Sequence, residues 1–211
     1  MEWLAGGGLI MIPIFICSIV AAAVVMERAV SLRRNRILQP ELIEVIEAIR
    51  GPEDLPVIHN RCKVIKGPFS NIIKRAISNT NLSREEKVLD IQASGRQEAR
   101  VLERMLVVLE IITAITPLLG LLGTVLGMSR VFDVIAEVGL GETKAFSSGI
   151  AQALRTTIVG LGVAIPSLIA YTSFDKKVDS MILEMEKYSM LLLNKIYTTE
   201  KVEKAMSSEG K

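Results

Sequence analysis

Histidine and cysteine are both scarce in this sequence, whose 211 residues include one histidine and two cysteines. His59 is expected at the surface because it lies in a stretch broken by Pro52 and Pro56. A single histidine provides neither a catalytic triad nor a zinc cluster. Cys17 lies in an apolar run and Cys62 in a polar region, so they are not expected to pair. There is also no phosphate-binding glycine loop. The residues therefore give no support for an enzyme, a bound metal ion or a cofactor.

Net charge is also low, at +2, which removes the electrostatic basis for nucleic-acid binding. Charge is missing altogether from three runs, Leu4–Met26, Ile111–Ser129 and Thr156–Phe174. Each run has about 19 to 23 residues, and roughly 20 helical residues cross the hydrocarbon core of a bilayer. The sequence therefore predicts an all-α membrane protein with three transmembrane helices, two of which extend into the cytoplasm.

Basic residues cluster beside the apolar runs, always at the same side of the predicted membrane. They are Arg28, Arg33, Arg34 and Arg36 after the first run, Arg96, Arg100 and Arg104 before the second, and Lys176 and Lys177 after the third. By the positive-inside rule these residues are cytoplasmic and the N-terminus is periplasmic. Because the basic residues follow the first run, we expect that run to be a retained anchor and not a cleaved signal peptide.

These patterns divide the chain into six predicted segments. They are a first transmembrane helix over 1–27, a cytoplasmic helical region over 28–104, a second transmembrane helix over 105–134, a periplasmic turn over 135–146, a third transmembrane helix over 147–175 and a cytoplasmic C-terminal helix over 176–211. Ser83 and Glu86 have the spacing of a capping box, which predicts a helix start at that point. Since no stop signal follows until about Val134, one helix of about 50 residues is predicted there. Residues 51–66 are predicted to be irregular.

The C-terminal helix carries an apolar stripe with alternating spacings of four and three, as in a coiled coil. The stripe consists of Val178, Ile182, Met185, Ser189, Leu192 and Ile196. Two packing partners fit this pattern. The stripe is expected to lie either on the helix of residues 84–104 or on the same stripe of a neighbouring subunit.

Small, weakly polar residues share one side of the second and third spans. In the second span they are Thr113, Thr116, Gly120, Thr124 and Gly127, and in the third Gly149, Ala153, Thr156, Gly160, Ala164 and Ser167. At about 100° per residue, each group falls within roughly 80° of the helix surface. Gly123 and Gly127 also form a GxxxG pair. We therefore predict close helix packing at Gly120, Gly123, Gly127 and Gly160, within one subunit or between subunits. The alternative for a threonine is to face a hydrated ion path.

Glu110 is predicted at the cytoplasmic mouth of the second span. An ionisable group at membrane depth costs a few kcal/mol and is therefore a candidate for function. One interpretation is that Glu110 is an interfacial acid that pairs with Arg104 or Lys176. The other is that it takes part in an ion pathway.

Arg155 is predicted one turn into the outer end of the third span. It is expected either to extend toward the outer headgroups, to pair with Asp133 or Glu142, or to form a charge at the outer mouth of a pathway. The neighbouring Gln152 and Thr157 are uncharged, but each is able to hydrogen-bond to a partner or to water.

Two motifs in adjacent spans resemble a known family. They are TPLLGLLGTVLGM (Thr116–Met128) and GIAQALRTTIVGLGVAIPSLIAY (Gly149–Tyr171), and they are similar to the MotA/TolQ/ExbB proton channel family, especially its ExbB/TolQ branch. The resemblance implies a homopentameric ring around two single-span partners similar to ExbD or TolR, each with an aspartate in the membrane. It also implies an inner-membrane motor that uses proton motive force to act on a TonB- or TolA-like protein, as in TonB-dependent import or Tol-Pal type envelope maintenance.

Carried over by position, Thr124 and Thr157 match the pore threonines of the second and third spans in that family. Gln152 stands where ExbB and TolQ have a glutamate in a GIAEAL motif. Since glutamine does not titrate, the resemblance then implies that the partner's aspartate is the titrating acid, with Glu110 as the exit. The departure at Gln152 favours a second hypothesis, an oligomeric membrane scaffold that conducts nothing. A solute transporter is disfavoured, because three spans without an internal repeat rarely form a substrate cavity.

Overall fold

The computed structural model describes residues 9–78, 82–139 and 143–209, in which all regular structure is helical. The helices are α1 (Met11–Ser31), α2 (Arg34–Ile37), α3 (Pro40–Ala48), a 3₁₀ turn (Pro52–Asp54), α4 (Leu55–Val64), α5 (Pro68–Ile77), α6 (Arg84–Glu103), α7 (Leu106–Val138) and α8 (Thr143–Glu209). Three of these, α1, α7 and α8, contain stretches that are long and apolar enough to cross a membrane. The prediction of three such helices is confirmed.

The chain divides into two compact units, which we call the apolar unit and the polar unit. The apolar unit is formed by the described parts of Met1–Ala29 and Met105–Phe174. The polar unit is formed by the described parts of Val30–Arg104 and Asp175–Lys211. The apolar unit thus contains nearly all of α1, all of α7 and the first half of α8, whereas α2 to α6 and the rest of α8 form the polar unit.

The ends of α7 and α8 differ from the predicted turn over 135–146. Helix α7 continues to Val138 and ends at Gly139, whose φ of 79° lies in the left-handed region that glycine adopts readily. Helix α8 begins at Thr143 and continues as one helix to Glu209 with Pro166 inside it. The connection is therefore shorter than predicted, because no residue before Gly139 ends the helical pattern of α7.

The predicted helix of about 50 residues is two helices in the structure. Helix α6 ends at Glu103, and α7 begins at Leu106. The two residues between them, Arg104 and Met105, keep right-handed helical dihedral angles, with φ/ψ of −46°/−40° and −86°/−16°. The interruption is thus a local loss of helical hydrogen bonding without a turn residue, and for this reason it has no signal in the sequence.

The prediction of irregular structure over 51–66 was wrong for most of that stretch. Pro52 begins the 3₁₀ turn and Pro56 lies in the first turn of α4. Proline is tolerated in a first helical turn, because the N–H that it lacks would have no intrahelical acceptor there. His59 lies on α4 and is exposed, as predicted.

The apolar stripe of α8 is buried in the polar unit. Val178, Met185, Ser189 and Leu192 have no exposed surface, and Ile182 and Ile196 are 9% and 7% exposed. Residues of the same chain therefore cover the stripe, which argues against the same stripe of a neighbouring subunit as its partner. Several contacts join α8 to the shorter helices. They are the rings of Phe69 and Tyr188 at 6.2 Å, Arg84 with the Asn194 side chain, Tyr197 with the Leu82 carbonyl, and Lys195 with the carbonyls of Ile46 and Glu47.

Cys62 is buried in the polar unit, where its carbonyl oxygen accepts a hydrogen bond from the Ser70 hydroxyl. Burial raises the pKa of the Cys62 thiol, so the thiol stays protonated at neutral pH. Cys17 lies on α1 in the apolar unit, and both cysteines are free.

The predicted capping box begins α6. The Glu86 N–H donates to Ser83 Oγ at 3.2 Å, and the Ser83 N–H donates to Glu86 Oε2 at 2.8 Å. The hydrogen bond from the Ser83 N–H to the Glu86 carboxylate lowers the pKa of that carboxyl. We expect Ser83→Ala to weaken the first turn of α6 by about 1 kcal/mol and to speed amide exchange over 84–90 about fivefold, which hydrogen-exchange mass spectrometry would measure. Ser83→Asp retains an acceptor and serves as the control; equal exchange in both variants would contradict the role of the cap.

Candidate functional site: the contact between two apolar helices

Helices α7 and α8 pack closely through small residues in the apolar unit. A Cβ atom added at Gly123 would lie 2.6 Å from Thr156 Oγ1, and one added at Gly127 would lie 2.8 Å from Ala153 Cβ. Cβ atoms do not normally approach other atoms so closely, so glycine is needed at both positions for this spacing. The two small faces identified in the sequence therefore meet within one chain.

The backbones of α7 and α8 approach each other directly at Gly120 and Gly160. A Cβ atom on Gly160 would lie 2.6 Å from the Thr116 carbonyl oxygen and 3.1 Å from Gly120 Cα. A Cβ atom on Gly120 would lie 3.0 Å from Thr157 Cα. This is the type of contact for which small residues are used between membrane helices, since backbone atoms can then meet directly.

The hydroxyl groups of Thr124 and Thr157 contact each other across this helix pair. Thr157 Oγ1 also lies 3.0 Å from the Gly120 carbonyl oxygen, and Thr124 Oγ1 lies 3.2 Å from the carbonyl oxygens of both Gly120 and Ala153. Both threonines are half-buried. The structure thus brings together the two threonines that the sequence singled out, and adds two backbone carbonyls to them.

The number of hydrogens limits what this polar cluster can do. Each hydroxyl donates one hydrogen and can accept two hydrogen bonds. If one threonine donates to the other, one hydrogen is left for the carbonyls of Gly120 and Ala153. Hydroxyl lone pairs therefore remain for a hydrogen bond from water or from an incoming acid. No group of the cluster titrates near neutral pH, so the cluster can solvate a proton carrier but cannot itself be the carrier.

Other hydroxyls on the same helix faces are buried and bonded locally. Thr116 Oγ1 donates to the Ile112 carbonyl at 2.7 Å, and Thr156 Oγ1 donates to the Ala153 carbonyl at 2.7 Å. Such bonds to carbonyls three or four residues earlier satisfy a hydroxyl within its own helix. These threonines therefore fit the packing interpretation, whereas the half-buried pair Thr124 and Thr157 has polar surface to offer.

Gln152 and Arg155 do not join the threonine cluster. On α8 they are about 140° and 160° around the helix from Thr157. Both are half-buried, and in the described part of the chain neither makes a hydrogen bond or an ion pair. Arg155 accordingly does not pair with Asp133, one of its two predicted partners. The other, Glu142, is outside the described residues.

Glu110 lies in the second turn of α7, and its side chain is exposed. Its carbonyl oxygen accepts a hydrogen bond from Thr113 Oγ1 at 2.7 Å. Thr124 lies fourteen residues further along the same helix, an axial separation of about 21 Å at 1.5 Å per residue. Glu110 is thus too far from the cluster for direct proton exchange with it, and any connection needs water or a partner.

The described residues include no group of three histidine, cysteine, aspartate or glutamate side chains that could hold a metal ion. The backbone carbonyls of Gly120 and Ala153 were not foreseen as part of the site. Their only sequence signal is indirect: each lies four residues before one of the two threonines, the spacing at which a threonine hydroxyl reaches a carbonyl on its own helix.

Three apolar helices, two of which pack on glycines around a polar contact, define the class as a multi-span helical membrane protein. Residues 64–187 match the MotA/TolQ/ExbB proton channel family, and the chain belongs to that family. The matched range includes α5, α6, α7 and the part of α8 that carries Thr157.

Individual relatives place the chain in the ExbB/TolQ branch. It is 30% identical over 175 residues to the biopolymer transport protein ExbB-like 3 of Synechocystis sp., a match that covers 77% of this chain and 79% of that protein. It is 38% identical over 103 residues to the biopolymer transport protein ExbB of Aquifex aeolicus, covering 49% of this chain and 69% of that protein. It is 32% identical over 112 residues to the Tol-Pal system protein TolQ of Pseudomonas aeruginosa, covering 51% of this chain and 48% of that protein. The resemblance inferred from the two motifs is confirmed.

Proposed function

We propose that this chain is the ion-channel subunit of a proton-driven motor in the bacterial inner membrane, similar to the ExbB–ExbD and TolQ–TolR complexes. The observation that carries the proposal is the hydroxyl contact between Thr124 and Thr157 at the closest packing of α7 and α8. A half-buried pair of hydroxyls with spare lone pairs is suited to solvate a proton carrier along an otherwise apolar helix pair.

The charge that moves is supplied by another protein. Neither threonine titrates at neutral pH, and Gln152 stands where ExbB and TolQ have a glutamate. We therefore infer a single-span partner of the ExbD or TolR type, whose membrane aspartate takes up a proton at one side and releases it at the other. Glu110, exposed near the start of α7, is the proposed exit group. Arg155 is the proposed charge at the outer mouth.

The proposed assembly is a ring of five chains around two partner helices. The N-terminus is periplasmic, and the polar unit with the C-terminus is cytoplasmic, because the arginines and lysines that flank the apolar runs belong on the cytoplasmic side. Many large apolar side chains of the three long helices remain exposed in the single chain, among them Phe15, Leu118 and Ile169. Such surface is suited to lipid and to neighbouring subunits. Ion flow would turn the inner helices and transmit work to a TonB- or TolA-like protein for import or envelope maintenance.

A non-conducting scaffold is the second candidate. It is favoured by Gln152 in place of an acid. The glycine contacts between α7 and α8 lie within one chain and are equally compatible with a helix pair that carries no ions. A scaffold needs no acid-bearing partner. The two functions therefore differ in whether the chain has an acid-bearing partner protein.

Copurification distinguishes the motor subunit from the non-conducting scaffold. We expect the tagged chain, extracted in a mild detergent, to bring down a short single-span protein with an aspartate in its span. Native mass spectrometry should then give a mass of five chains plus two partners. Replacing that aspartate by asparagine should abolish proton uptake into vesicles without dissociating the complex. A monomeric chain, or an oligomer with no such companion, would contradict the motor and favour the scaffold.

A further inference from the structure

Helices α7 and α8 each have a surface that points away from their mutual contact. On α7 it lies about 140° to 180° around the helix from Gly120, and on α8 about 140° to 180° around from Gly160. We call these surfaces the α7 edge and the α8 edge. The α7 edge consists of Ile111, Leu118, Leu122 and Asp133, and the α8 edge consists of Arg155, Ile158, Ile165 and Ile169. The apolar members are 45% to 63% exposed, so both edges are open in the single chain.

The two edges carry opposite charges. Asp133 is exposed and Arg155 is half-buried, and within the described part of the chain neither makes a hydrogen bond or an ion pair. Because the edges face in opposite directions with both helices between them, these two charges cannot meet within one chain. An arginine at membrane depth is costly unless an acid or water compensates its charge. The α8 edge therefore needs a partner that supplies an acid.

The depth of the two charges follows from the contact of Gly120 with Gly160. The helices run antiparallel, since Gly127 contacts Ala153 beyond that point. Asp133 lies thirteen residues from Gly120, and Arg155 lies five residues from Gly160 in the same direction. At 1.5 Å per residue their Cα atoms differ in depth by about 12 Å. Side chains lean toward the N-terminus of their own helix, so the long Arg155 side chain and the Asp133 side chain extend toward each other's depth.

A second copy of the chain fits both edges at once. Copies that are related by rotation about the membrane normal lie at one depth, so the α8 edge of one copy can meet the α7 edge of the next. Two α8 edges, in contrast, would place Arg155 against Arg155. A contact between different surfaces continues from copy to copy until the ring closes. In such a ring every Arg155 has an acid, and the apolar members of the two edges cover each other.

We propose that Arg155 of one copy pairs with Asp133 of the neighbouring copy, and that the α8 edge and the α7 edge form the contact between adjacent subunits in the membrane. The inference rests on the ring in the proposed function and specifies which surfaces close it. It does not depend on ion flow, so a motor and a scaffold would both use this contact.

Disulfide cross-linking of the full chain in membranes tests the two edges. Cys17→Ala and Cys62→Ala remove the two native thiols. Ile111→Cys with Ile169→Cys then places one thiol on each edge at the same depth, since each lies nine residues from the contact of the two glycines. Because every chain carries both halves of the contact, we expect oxidation to give a ladder of bands from the dimer up to the closed ring.

The matched control for the cross-linking combines Ile111→Cys with Leu168→Cys. Leu168 is exposed and adjacent to Ile169, but it lies about 100° around α8 from it. We expect about tenfold less cross-linking in this control. The contact is overturned if the control gives an equal ladder or if oxidation stops at dimers, as a two-fold contact would. Monomers alone would also overturn it, and would mean that lipid or another protein covers the edges.

Exchange of the two charges tests the ion pair. Arg155→Glu and Asp133→Arg should each reduce the ladder about tenfold, because each brings like charges together, and the double variant should restore it. The pair is overturned if the single variants have no effect or if the double variant does not recover. This result is separate from that of the motor: a ladder without an acid-bearing companion contradicts only the motor, whereas a companion without the ladder contradicts only this contact.

Discussion

Thr157→Val, and separately Thr124→Val, should abolish motor function while the protein still reaches the membrane and assembles. Valine keeps the branched shape of threonine, so the packing of α7 on α8 changes little, but the contact between the two hydroxyls is lost. In each variant an incoming acid would meet one hydroxyl beside carbonyls and methyl groups, in place of the bonded pair of hydroxyls. We expect proton flux through the complex to fall about tenfold or more, since leaving polar groups unsatisfied at a dry site costs about 1 to 3 kcal/mol.

The flux is measured with a pH-sensitive dye in proteoliposomes that contain the chain and its copurified partner. Thr157→Ser retains the hydroxyl and should restore most of the flux. Thr172→Val is the matched control on the same helix, because the exposed Thr172 hydroxyl donates to the Leu168 carbonyl of α8 and has no other partner among the described residues. Wild-type flux in both Thr124→Val and Thr157→Val would refute the assignment of the pore residues.

The features that depend on helical periodicity were predictable from the sequence. Residues three and four apart lie on one side of a helix, so the small faces around Gly120 and Gly160 and the stripe around Met185 follow from residue spacing alone. Which surfaces these faces meet does not follow from spacing. The sequence allowed packing within one chain or between chains, and the structure shows that the two small faces meet each other within one chain.

Helix boundaries were predicted less well where two principles compete. Pro52 and Pro56 normally indicate a break, yet each lies in the first turn of its helix, where no N–H is needed. At Arg104 and Met105 the error is the reverse, because a continuous helix was predicted where the structure has an interruption. Both are good helix formers, so propensity predicted continuity, and the local loss of helical bonding there has no counterpart in composition.

The sequence indicated a role for Thr124 and Thr157 only through their resemblance to the family motifs, and it did not predict their contact. Each threonine was assigned from its position in a motif, but the sequence does not show that the two hydroxyls touch or that the Gly120 carbonyl lies 3.0 Å from Thr157 Oγ1. The same motif placed Gln152 in the ion path, although that side chain is about 140° around α8 from Thr157. The distance between side chains on two helices depends on their rotation about their axes, which is fixed by the glycine packing.

Gly160→Leu should disrupt the structure more than any other single change in the apolar unit. The new Cβ would lie 2.6 Å from the Thr116 carbonyl oxygen and 3.1 Å from Gly120 Cα. Both are backbone atoms of α7, so no side-chain rotation can make room for the leucine. At Gly123 the nearest atoms belong instead to the Thr156 side chain, Oγ1 at 2.6 Å and Cβ at 2.7 Å, and not to the main chain. Because α7 and α8 must separate to admit a side chain at Gly160, we expect a loss of about 2 to 3 kcal/mol and a melting temperature lower by roughly 5 to 10 °C in detergent.

Gly162→Leu provides the matched control for this prediction, since it makes the same change on the same helix at an exposed position. Apart from the adjacent residues and backbone of α8, no atom of the described residues lies within 4 Å of a Cβ added there. Removing a glycine from a helix interior there should leave the melting temperature unchanged or raise it slightly. Separation of α7 from α8 also moves Thr157 away from Thr124, so Gly160→Leu should lose proton flux together with stability, whereas Thr157→Val loses flux alone. A Gly160→Leu protein that melts with the wild type would show that the two helices do not pack through these glycines, and the hydroxyl contact that depends on their spacing would then lose its structural basis.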